Sequence, residues 1–260
     1  MSTTWRSFHC RSDAPSRATL SRVHSTAVHP FDENKAVLSD VLPHVEALLA
    51  LHREAMQTLS RAFGPQMNRP DECVLLLGVH AYNLTETLFR LIIAGRFDVA
   101  AYLLRPAWDI GGLILGAGSD ESLAERFWND TLRASDARRE IAAAVRASAG
   151  DALADEMEKG WSADYGPLQE LAHVKMIHLD KAVAPGTTGN IVPMLGGRSD
   201  GGQAIVMARG AIKAGVQSLV HLYAVRGKVL GEPFYDRVVL VHEHLLAWVN
   251  ANRPVGERAG

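Results

Sequence analysis

Between Glu72 and Gly118 two consecutive helix-length segments are apolar almost all the way round, and each carries one narrow polar stripe. In the first, His80, Asn83, Glu86 and Arg90 recur at spacings of three and four, which puts them on one helical face. In the second, Tyr102, Arg105 and Asp109 align in the same way among Ala100, Leu103, Leu104, Ile110, Leu113 and Ile114. A helix apolar on every side is normally buried. Charged side chains are almost never fully buried unless paired. The stripe residues are therefore expected either to satisfy one another or to line a cavity.

The flanking pattern predicts further helices. Val37 to Phe63 reads as amphipathic and stops at Gly64 and Pro65. Asp71 to Ala94 closes at Gly95, and Phe97 to Ala117 follows so soon that the two should be antiparallel neighbours. Pro106 and the pair Gly111–Gly112 are expected to bend the second of them. Ser119 opens a long helix to about Ser148. A short helix from Asp151 to Lys159 ends at Gly160, and Tyr165 opens another to about Val183, with Pro167 in its first turn. Ile191 to Met194 and Ala204 to Met207 flank a Gly-rich turn, Gly196 to Gly202, and suggest a two-stranded hairpin with Pro193 at an edge. Two helices, about Ala208 to Arg226 and Pro233 to Asn252, complete the pattern. The expected fold is all-α: a bundle of about seven helices with one small β-hairpin insertion. It forms one helical domain over 31–253, between a disordered leader, 1–30, and a disordered tail, 254–260.

Composition narrows this picture. In 260 residues, 47% apolar and 22% charged, there is enough chain for one sizeable core. A formal net charge of -2 argues against a protein that coats nucleic acid. Arginine supplies 21 of the 27 basic residues, and Arg suits bidentate contact with carboxylate or phosphate. The two cysteines, Cys10 and Cys73, form no CxxC pair, so neither a disulfide framework nor a metal knuckle is expected. The leader holds Arg6, Arg11, Arg17 and Arg22 against a lone Asp13 and lacks the apolar run of a secretion signal. Ionisable groups near the middle of both greasy segments argue against membrane spans. A cytoplasmic location is expected.

Three constellations bear on chemistry. Glu86 with Arg90 and Arg105 with Asp109 are each i,i+4 pairs: either crossed salt bridges between buried helices, or a pocket whose guanidinium groups hold an anion. Glu170 and His173 show the ExxH spacing of helical di-iron proteins, but no second ExxH exists in the chain, so no metal and no cofactor are expected. Arg237 and His242, with His244 beyond, resemble the Arg…His signature of small helical ribonucleases of toxin and antiviral systems. There an Arg holds the scissile phosphate and a His acts as acid and base. Four such spacings occur in the chain, about as many as chance supplies, and Val238 stands where that signature prefers a polar residue. The Gly-rich turn lacks the Gly-Lys-Ser/Thr ending of a phosphate loop.

Arg105-Pro106-x-x-Asp109, preceded by Asn83 and Arg90 and followed by Tyr165-x-x-Leu168-x4-His173, resembles a large family of bacterial all-helical proteins without an established activity. The similarity covers roughly residues 40 to 250. In that family Glu usually stands where this chain has Asp109, and Ser often stands where it has Gln169. The resemblance implies a helical bundle with a small hairpin; some members look similar to helical toxin or defence nucleases.

The functional expectation is a core pocket built from Asn83, Glu86, Arg90, Arg105, Asp109, Tyr165 and His173. It would bind a small anionic or phosphate-bearing ligand between Arg90 and Arg105, with His173 as the proton shuttle. Two rivals stand beside it. One is a metal-independent ribonuclease using Arg237 and His242, with RNA as its partner; the other is a non-catalytic interaction or scaffold protein in which the ion pairs only set helix register.

Overall fold

The computed structural model describes residues 30–172, 183–185, 191–193 and 200–252. Among the described residues there are nine helices: α1 (Pro30–Val37), α2 (Leu42–Phe63), α3 (Arg69–Ile93), α4 (Phe97–Ser119), α5 (Glu121–Trp128), α6 (Ala134–Ala149), α7 (Asp151–Ala172), α8 (Gly201–Leu230) and α9 (Glu232–Ala251). The all-α class holds. The leader, except Pro30, and the tail lie outside the described residues.

Local chemistry sets the ends of these helices. The Asn68 side chain accepts a hydrogen bond from the Asp71 backbone N–H at 2.9 Å and caps α3, whose far end meets Gly95 at φ 70°. Of two expected long helices, one starts later and the other is broken in two. The segment expected from Val37 turns at residues 38–41 instead, because Pro43 has no N–H and suits only a first turn; α2 therefore starts at Leu42. The segment expected from Ser119 to Ser148 breaks at Asp130, which takes φ 55°, a conformation Asp tolerates. The Thr131 hydroxyl and the Thr131 backbone N–H both donate to the Arg126 carbonyl and seal the end of α5. Conversely, α7 runs unbroken through Gly160 and Pro167, where two helices were expected.

The expected hairpin is corrected as well. Ala204 to Met207 belongs to α8, which Asp200 caps by accepting from the Gln203 backbone N–H at 3.0 Å. Ile191–Pro193 (β2) instead lies antiparallel to Val183–Pro185 (β1), with Val183 opposite Pro193.

α4 is the central element, in contact with α3, α5, α6, α7 and α8. Small residues allow this crowding. A Cβ on Gly111 would stand 3.2 Å from Gln217 Cδ of α8, and one on Gly112 would stand 3.2 Å from Arg138 Nε of α6. α4 is one continuous helix through Pro106, and the glycine pair admits a neighbour on each of two sides. One buried cluster joins α2, α3, α4, α8 and α9, with Leu48, Leu59, Leu88, Ile92, Leu104, Ile114, Leu219, Leu222 and Leu245 among its enclosed side chains. No helix among the described residues is long and apolar enough to cross a membrane.

Candidate functional site

The stripe on α3 faces outward. Asn83 and Arg90 are exposed, and Arg90 Nη2 donates to Glu86 Oε1 at 2.9 Å with 77% of the Arg90 side chain in solvent. The buried face of α3 is Cys73, Val74, Leu77, Gly78, Ala81, Thr85, Leu88, Phe89 and Ile92. The expectation that Asn83, Glu86 and Arg90 enter a core pocket is corrected on this point. The apolar residues that suggested burial on every side include Leu76 and Val79, which are themselves exposed, as surface apolar residues often are.

The stripe on α4 runs from solvent toward α6: Tyr102 is exposed, and Arg105 and Asp109 are half-buried. Arg105 Nε lies 3.7 Å from Asp109 Oδ2, and Arg138 Nη2 donates to Asp109 Oδ1 at 2.6 Å. Arg138 is buried. A guanidinium in that position is tolerable because a carboxylate meets it directly. The sequence reading missed Arg138, which comes from a helix with an ordinary polar face. Beside it, Ser135, Arg138, Arg139, Glu158, Trp161 and Ser162 line an open hollow of about 400 Å³. Tyr165 lies on α7, and His173 lies outside the described residues.

The constellation of Arg237 and His242 does not hold together. Arg237 is exposed and engages Glu54 of α2 in two parallel bonds, Nη1 to Oε2 at 2.7 Å and Nη2 to Oε1 at 2.5 Å. This pairing holds the Glu54 carboxyl below its ordinary range. His244 stacks on His44 of α2, with ring centroids 4.7 Å apart. His242 faces elsewhere, into a different hollow that Arg237 does not line.

That hollow, about 320 Å³, lies between α4, α8 and α9. Its walls are Trp108, Ile212, Val216, Val220, Leu246 and Val249, with Lys213, Gln217, His221 and His242 as polar members. Neither hollow is lined by Asn83, Glu86 or Arg90. Lys213, Gln217 and His221 are spaced by four along α8, one polar ridge beside the apolar ridge of Ile212, Val216 and Val220. His242 and Leu246, also four apart, face them from α9. His221 Nδ1 donates to the Gly111 carbonyl at 2.8 Å, an approach that α4 permits where it lacks a side chain. Burial pushes the His221 pKa below its ordinary value against the raising effect of that bond, and nearby Arg138 adds to the lowering. The ring is therefore neutral at physiological pH, with its proton on Nδ1 and a lone pair on Nε2. Trp108 Nε1 and Gln217 Oε1 are buried and have no hydrogen-bond partner among the described residues.

No group of three or more His, Cys, Asp or Glu residues placed to hold a metal occurs among the described residues. The signal for this hollow was present in the sequence: the ridge of Lys213, Gln217 and His221 obeys the same spacing rule as the two stripes that were read. Comparison of the chain with protein-family models, with curated proteins and with solved structures finds no match.

Proposed function

We propose that this chain binds a small anionic ligand, a carboxylate or phosphate on a largely apolar body, in the hollow between α4, α8 and α9. The observation that carries this reading is the composition of the wall. Six apolar side chains surround Lys213, Gln217 and two histidines, and no carboxylate among the described residues lines the hollow. A concave, mostly apolar pocket with a few convergent polar groups is the usual form of a small-molecule site, and its volume of about 320 Å³ lies in the normal range. Lys213, exposed at the rim, supplies the positive charge, and His242 supplies a further polar group. The anion clamps are thus not Arg90, which lies in solvent, nor Arg105, which faces α6 through Asp109.

The test is thermal unfolding of the protein with a panel of aromatic and aliphatic carboxylates and phosphate monoesters. A ligand present at about 100 times its Kd stabilises by about 2.7 kcal/mol, a shift of several degrees for a chain of this size. Val216→Trp, which fills the hollow, and Lys213→Ala are expected to abolish the shift. A panel without any shift, or a shift that survives Val216→Trp unchanged, overturns the reading.

A further inference from the structure

We infer that the hollow between α6 and α7 binds a neutral polyhydroxylated ligand, a pyranose sugar, with Trp161 against the face of its ring. This second site is independent of the anion reading above and lies in a different hollow.

Two polar ridges meet there. Ser135, Arg138 and Arg139 follow one another at i, i+3 and i+4 on α6, and Glu158, Trp161 and Ser162 repeat that spacing on α7. Each triad therefore shares one helical face, and between the two faces lies the hollow of about 400 Å³. Gly150 turns the chain from one helix into the other, and Arg146 in the last turn of α6 reaches Asp155 and Glu158 at 2.6 and 3.0 Å. The helices thus run antiparallel, with Glu158 toward the turn and Ser135 at the far end. Ser135, Arg139 and Ser162 are exposed, Trp161 is half-buried and Arg138 is buried.

Every charge that the described residues bring to this lining is already compensated. Arg138 bonds Asp109 at 2.6 Å, Arg139 bonds Asp136 at 2.8 Å, and Glu158 accepts from Arg146 at 3.0 Å. The lining therefore selects for hydrogen bonds rather than for net charge. Paired ions keep such capacity, because a guanidinium has five N–H donors and an ionised carboxylate two oxygens that each accept more than once. Arg139 meets Asp136 through Nη2, and Glu158 meets Arg146 through Oε2. A hydroxyl donates and accepts at once, so it can join such a pair from the side without displacing either partner. Ser135 and Ser162 add two exposed hydroxyls of the same dual kind. A pyranose carries adjacent hydroxyls around its edge and C–H bonds on its faces, and the faces suit the apolar surface of an indole. At 1.5 Å of rise per residue, Glu158 and Ser162 stand about 6 Å apart along α7, the width of one such ring.

Saturation-transfer NMR titrations with methyl β-glucopyranoside, methyl β-galactopyranoside and methyl α-mannopyranoside test the inference, with inorganic phosphate as competitor. At least one sugar is expected to bind with a Kd of about 1–10 mM. Its affinity should not change between about 50 and 500 mM NaCl, because a neutral ligand has no charge to screen. Trp161→Leu is expected to weaken binding about tenfold, whereas Trp161→Phe, which keeps an aromatic face, retains most of it. Ser162→Ala, at an exposed position, should weaken it about threefold. Val216→Trp, in the other hollow, should leave it unchanged. The panel on the unaltered protein needs no variant, so a misfolded Trp161→Leu does not remove the test. Absence of binding by all three sugars overturns the inference. So does displacement by inorganic phosphate, or binding that survives both Trp161→Leu and Ser162→Ala undiminished.

Discussion

His52 has no exposed surface: it sits on α2 with its ring enclosed, and its Nε2 lies 3.0 Å from the Gly215 carbonyl of α8. The close approach exists because position 215 lacks a side chain; a Cβ there would stand 3.0 Å from Leu48 Cδ2 and 3.1 Å from Thr85 Cγ2. The Nε2–H donates to that carbonyl, which leaves Nδ1 as the site of any second proton, and Nδ1 is buried without a partner among the described residues. Charging the ring in such surroundings is unfavourable. Desolvation accordingly pulls the pKa of His52 down from 6.5 to about 4, in spite of the opposing hydrogen bond. Above pH 6.5 the ring is neutral in folded and unfolded chains alike and contributes no pH dependence. As pH falls through 6.5, the unfolded chain takes up a proton that the folded chain refuses, so stability declines until the folded ring also titrates near 4. At about 1.36 kcal/mol per pH unit across that window, the loss amounts to about 3 kcal/mol. His52→Leu removes it. The variant forgoes one neutral hydrogen bond, about 1 kcal/mol near neutrality, but its stability should decline less as the solution is acidified. Urea unfolding of both proteins at steps from about pH 7 to about pH 4.5 measures the difference, and contributions common to both chains, including the lowered Glu54, cancel. Stability curves that run parallel through this range would refute the account, as would a titration placing the folded His52 near 6.5.

Other consequences follow from particular contacts. Gly118→Ala places a Cβ 2.8 Å from Val225 Cγ2 and 2.9 Å from Val74 Cγ2; these β-branched side chains cannot swing aside, so a loss of about 1–3 kcal/mol is expected in urea unfolding. Gly160→Ala, exposed within α7 with no described neighbour in reach, should instead stabilise by about 0.5–1 kcal/mol in the same assay. Asp109→Asn takes from buried Arg138 the carboxylate it bonds at 2.6 Å and should cost about 3 kcal/mol; Leu at the same position should do no better, because the guanidinium stays behind in either case. Arg237→Ala breaks a bidentate pair that lies in solvent, so it should cost less than about 1 kcal/mol and leave any ligand-induced shift in melting temperature unchanged.

What the sequence disclosed depends on whether the deciding interaction is local. α3 and α4 are bounded almost as read, because Asn68 caps one and Gly95 separates them by chemistry that needs no distant partner. Asp130 could not be anticipated as a break: its φ of 55° is one option open to an Asp, selected here by the bonds that Thr131 and Leu132 donate to the Arg126 carbonyl. Ala204 to Met207 misled for another reason, since a short apolar run with Ile and Val suits a strand and a buried helix equally. Only the flanking cap at Asp200 and the continuing apolar pattern to Leu230 decide between them.

The two stripes show the limit more sharply. Spacing by three and four establishes that side chains share a face; it carries no information about what that face meets. α4 is covered by neighbours on several sides, so Asp109 must be matched within the protein and draws Arg138 from α6. α3 buries one face against α2, α4 and α8 and leaves the other to water, where Glu86 and Arg90 need no enclosure. The direction of a stripe is thus a property of the packing around its helix. For the same reason the ridge of Lys213, Gln217 and His221 has meaning only once α4 and α9 close over it: in the sequence it is three polar residues on a buried helix, and in the fold it is the polar side of a hollow.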